Sequence, residues 1–100
     1  NNNVTITKEF FDKDALIVEN SGIKSVSLSK DCEPVVEVMF KAPVFGLWSA
    51  AGKGVPFVCI EPWYGRTDAI DSDGSLTARE WGNELAGGET FTGGYRCKFL

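Results

Sequence analysis

A carboxylate set among apolar and aromatic neighbours is the first feature of this chain suited to chemistry. In PFVCIEPWYGRTD, residues 56–68, Glu61 follows Phe57, Val58, Cys59 and Ile60 and precedes Pro62, Trp63 and Tyr64. An unpaired charge at the end of an apolar strand is costly to bury. Desolvation by such neighbours raises a carboxylate's pKa toward the range useful for proton transfer. The aromatics offer flat apolar faces that suit a sugar ring, with its C–H patches between hydroxyls, and Trp63 is the nearest indole. The alternative is structural: Glu61 leaves the strand at its wet end and pairs with Arg66, while the aromatics fill the core. A second carboxylate pair, Asp12 and Asp14 in EFFDKDALIV, precedes a strand on one parity. These two could face one side together, or serve as edge charge that discourages aggregation. Arg66, Lys53 and Arg79 could hold hydroxyls or anions, but read as surface cations.

AIDSDGSLTARE, residues 69–80, carries a different possibility. Asp71, Asp73, Gly74, Leu76 and Glu80 fall at positions 3, 5, 6, 8 and 12 of a calcium loop. Such a loop works between two helices, whereas the flanks here contain Pro62, Gly65 and Gly82. Its first position is Ala69, which offers no side-chain oxygen, although Asp68 is adjacent. The stretch therefore reads as an acidic, solvated turn built on Asp73-Gly74. No metal and no cofactor are expected.

The elements that must position these residues are short and strand-like. VTIT (4–7), ALIVEN (15–20), SVSLSK (25–30) and VVEVMF (35–40) follow one another, with turn residues at 20–22, 31–34 and 51–54. In the third run Val26 and Leu28 alternate with serines, as in a strand with one wet face. VFGLWSA (44–50) and PFVCIE (56–61) are more continuously apolar, as expected of strands covered on both faces. TFTGGYRCKFL (90–100) favours a strand with a bulge at Gly93-Gly94. No window carries a helical period. The expectation is a single all-β domain, an antiparallel β-sandwich over residues 1–100.

The bulk properties narrow the functional classes. One hundred residues allow one domain, burying about 65% of its unfolded surface. A net charge of −4 with scattered Lys and Arg argues against a nucleic-acid partner. No apolar run approaches the length needed to span a membrane. Cys32, Cys59 and Cys97 fit no zinc spacing, and an odd set of thiols suits a reducing cytoplasmic setting. The chain contains no histidine.

VFGLWSAAGKGVPFVCIEPWYGRTDA, followed by AREWGNELAGGETFTGGYRCKF, resembles the C-terminal end of aldose 1-epimerase-like proteins, in their LacX-like branch. FFDKDALIVEN and KSVSLS resemble the preceding strands, so the likeness covers nearly the whole chain. It implies the galactose-mutarotase-like supersandwich, of which this chain would supply the last portion. It also implies interconversion of the α and β anomers of a free aldohexose such as galactose or glucose. By motif, Glu61 in CIEPW matches the family's base, which takes the C1 hydroxyl proton. The aspartate that holds a sugar hydroxyl matches FDKDALI, with Asp14 fitting the pattern of this branch and Asp12 the spacing of other mutarotases. The family's histidine acid has no counterpart here, so the likeness implies a fragment or truncated product. The missing N-terminal part of the sandwich, or a partner chain, would complete the pair. The alternative is a carbohydrate-binding sandwich without catalysis.

Overall fold

The computed structural model describes residues 2–100, and among them the regular elements are six β-strands with no helix. They are β1 (Leu16–Glu19), β2 (Ser25–Lys30), β3 (Glu33–Phe40), β4 (Val44–Trp48), β5 (Cys59–Trp63) and β6 (Tyr95–Phe99). They form two three-stranded antiparallel sheets, ordered β1-β4-β5 and β2-β3-β6. The inner faces meet through Val38, Phe40, Ala42 and Phe45, with Val18, Val26, Leu47, Ile60 and Tyr64 packed around them. The all-β sandwich architecture is thus as the strand pattern predicts.

Local chemistry explains the best-matched elements. Val26 and Leu28 are half-buried while the alternating serines are exposed. The β2–β3 hairpin closes on two residues, Asp31 and Cys32, with φ of 52° and 66° between the paired Lys30 and Glu33. Two consecutive left-handed residues make the mirror-image turn whose twist suits a tight hairpin. The one register irregularity in this pair falls between Leu28 and Ser29.

Other expectations shift. VTIT (4–7) forms no strand, and the chain runs instead into turns over 8–13, where Thr7 O accepts from Phe10 N–H. Residues 90–94 are outside any strand, so Gly93-Gly94 is no bulge. The Tyr64 hydroxyl takes the hydrogen bonds there: it donates to Gly94 O (3.1 Å) and accepts from Gly94 N–H (3.3 Å). Phe91 packs edge-on against the same ring, holding this segment to the exit of β5 and away from the β3 ladder. The strand expected at 56–61 lies at 59–63 and is half-buried throughout, because β5 is a sheet edge.

Pro62 explains that offset. Asn20 N–H donates to Pro43 O, and the alternation that this sets across β1 and β4 turns the backbone groups of Cys59, Glu61 and Trp63 toward β4. Ile60 and Pro62 then face the free edge, where a missing N–H costs no ladder bond. The strand continues through the proline, and Glu61 sits at its centre.

The sandwich is loosely closed. Its radius of gyration is 16.0 Å, against about 13 Å for a compact chain of this length. The accessible surface of 7925 Å² leaves about half of the unfolded chain's area buried, less than the length alone suggests.

Candidate functional site

Glu61 and Trp63 share the outer face of the β1-β4-β5 sheet, two residues apart on one strand. Register places Ile17, Gly46 and Glu61 in one row across the sheet, and Glu19, Val44 and Trp63 in the next. Gly46 is the opening in this surface. A methyl group built there would stand 3.2 Å from Trp63 Cζ2 and 3.4 Å from Ile17 Cδ1. The benzene edge of the indole therefore lies over the glycine. From that position Nε1–H donates to Glu61 Oε2 at 3.1 Å.

The two oxygens of Glu61 are consequently unequal. Oε2 is held by the indole, whereas Oε1 receives no hydrogen bond from any described residue. No side-chain oxygen or nitrogen is both buried and unpartnered among the described residues, so Oε1 is not wholly buried. An oriented carboxylate with one free oxygen, next to a half-buried indole, can accept a hydroxyl proton while the ring surface takes C–H groups. The arrangement needs neither a metal nor a cofactor to do this.

Arg66 does not pair with Glu61. Its guanidinium bonds Glu19 of β1 instead, an ion pair that reaches across the row containing the fully buried Val44. The chain leaving β5 is thereby tied to the far edge of the same sheet. Sequence reasoning missed both Gly46 and Glu19. A glycine inside an apolar strand signals a close approach, but register alone reveals which side chain approaches.

Asp12 and Asp14 lie in the bends that lead into β1, not on an extended approach, so strand alternation does not set their directions. Asp14 has φ of 87°, and its Oδ1 accepts from Ala15 N–H at 2.7 Å. Both are exposed, and neither bonds Glu61 or Trp63 among the described residues. The structure brings together Glu61 and Trp63 and leaves the aspartates at the entrance to the sheet.

Part of the acidic loop is bonded locally. Asp68 pairs with Arg79 at 2.7 Å, Asp73 Oδ1 accepts from Ser75 N–H at 2.7 Å, and Ser72 Oγ accepts from Gly74 N–H. Gly74 has φ of 82°, as a turn on Asp73-Gly74 requires. An open cavity of about 410 Å³ lies between Arg66, Asp68, Asp71, Asp73, Arg79 and Glu80. No cluster of three or more His, Cys, Asp or Glu is placed to hold a metal ion among the described residues.

No model of a known protein family, no curated protein and no solved structure matches this chain. The likeness to aldose 1-epimerases rests on the quoted motifs themselves.

Proposed function

We propose that the outer face of the β1-β4-β5 sheet binds a monosaccharide, with Glu61 as the general base of anomer exchange. The observation that carries this reading is the unpaired Oε1 of a carboxylate whose other oxygen is held by Trp63. In the exchange, Oε1 takes the proton from the C1 hydroxyl as the C1–ring-oxygen bond breaks and an acid protonates the ring oxygen. C1 of the aldehyde turns about the C1–C2 bond, and the steps reverse. Trp63 orients the carboxylate and offers its ring to the sugar, while Asp14 or Asp12 holds a hydroxyl. With no histidine in the chain, the acid comes from another segment of the sandwich or a partner chain. Three free thiols suit a cytoplasmic setting, where reduced cysteines persist.

The absence of histidine favours a second reading, in which the same face binds a sugar without catalysing exchange. Anomer exchange of glucose and galactose followed by NMR, with the segment or partner that supplies the acid present, separates the two. Catalysis accelerates exchange, and Glu61→Gln abolishes the acceleration while circular dichroism is unchanged. A general base typically contributes a factor of about 10²–10⁴. Saturable binding without acceleration leaves the binding module, and near-normal exchange in Glu61→Gln removes Glu61 from the mechanism.

A further inference from the structure

We infer that β6 is a docking edge for an extended peptide strand in which acidic residues alternate with apolar ones. β6 is the outer strand of its sheet, and all five of its residues are exposed. Leu100 N–H donates to Val35 O, so alternation gives the backbone groups of Arg96 and Lys98 to β3 as well. The N–H and C=O groups of Tyr95, Cys97 and Phe99 then point away from the sheet, and no described backbone group meets them. That is a row of three hydrogen-bonding pairs, unbroken in register and free of proline. On the β5 edge of the other sheet, by contrast, Pro62 interrupts the row.

The two faces of β6 specify what fits. Tyr95, Cys97 and Phe99 are in register with the core-facing Phe40, Val38 and Val36, yet Tyr95 is 64% and Phe99 83% exposed. An added strand with apolar side chains on this side would extend the inner layer of the sandwich. On the other face stand Arg96 and Lys98, opposite Met39 and Glu37. Neither forms an ion pair among the described residues, although Glu37 faces Lys98 in register.

Charge selects between a second copy and a different partner. Two β6 strands paired antiparallel with their apolar faces aligned would set Arg96 or Lys98 against one of the same two cations in every register that overlaps by more than one residue. Like charges directly opposite across strands are destabilising, whereas opposite charges stabilise. An acidic-apolar strand satisfies the backbone row, the apolar layer and both cations together.

The test is fluorescence anisotropy with two labelled seven-residue peptides, one alternating valine with glutamate and the other valine with lysine. The glutamate peptide should bind at least about tenfold tighter. Arg96→Glu, which faces Met39 and so is not placed directly opposite Glu37, should bring the two peptides toward parity. Cys97→Pro removes the central outward N–H while leaving the β3 ladder its bonds, and should abolish binding with circular dichroism unchanged. Equal affinities, no binding, or insensitivity to both substitutions would overturn the inference. Concentration-dependent self-association lost in Cys97→Pro would also overturn it, making a second copy the occupant.

Discussion

The coupling between Glu61 and Trp63 can be measured without knowing any ligand. A hydrogen bond to a charged group contributes about 1.5–3 kcal/mol net. Here the N–O distance is 3.1 Å and both side chains are half-buried, so water competes for each partner and a coupling of about 1 kcal/mol is expected. Trp63→Phe removes the N–H and some ring area, and Glu61→Ala removes the acceptor. Each should destabilise by about 1–2 kcal/mol, but packing losses unrelated to the bond complicate either value alone. The double-mutant cycle cancels them. With urea unfolding followed by circular dichroism, the double variant should lose about 1 kcal/mol less than the summed singles. Additivity within about 0.3 kcal/mol would refute the argument that the indole orients the carboxylate.

Three further substitutions test the surrounding frame. Gly46→Ala should destabilise by about 1 kcal/mol, because its methyl meets Trp63 Cζ2 at 3.2 Å and overpacking outweighs the backbone entropy gained; a rise in the unfolding midpoint would mean that the indole yields freely. Cys32→Gly should stabilise by about 0.5–1 kcal/mol by relieving a left-handed cysteine in the β2–β3 turn, and a lowered midpoint would count against that turn geometry. Arg66→Ala should cost no more than about 1 kcal/mol, since its pairing with Glu19 is partly exposed. Raised salt should shrink that difference, and a loss that salt leaves unchanged would point to packing by the arginine stem.

Much of the frame is legible in the residues, and the misses have local causes. The alternation of Val26 and Leu28 with serines fixes a face, and the turn residues at 31–34 mark the hairpin. VTIT has the composition of a strand, but composition does not supply a partner, and in the structure residues 4–7 are exposed and unladdered. Thr90 and Thr92 fail for a different reason: the Tyr64 hydroxyl, distant in sequence, engages the backbone of Gly94. The run PFVCIE stops short of Pro62 while β5 continues through it, because nothing in a single segment says which of its edges is free. The same blindness hides the site. Glu61 and Trp63 are visible as a pair, but the indole's seat over Gly46 and the diversion of Arg66 to Glu19 depend on strand order.

That order also dictates when the parts can assemble. β2 and β3 meet across a two-residue turn, whereas even the nearest β3–β6 pair in sequence, Phe40 and Tyr95, is far apart along the chain. The hairpin can zip on the timescale of local contacts, but β6 must first close a loop on the order of fifty residues, an entropic cost of a few kcal/mol. β6 is thus expected to attach last and detach first, with the backbone amides of Arg96, Lys98 and Leu100 exchanging with solvent well before those of Val38 and Phe40. Each such release bares the odd-numbered backbone groups of β3, so a competing strand could enter the sheet by replacing β6 as well as by extending it.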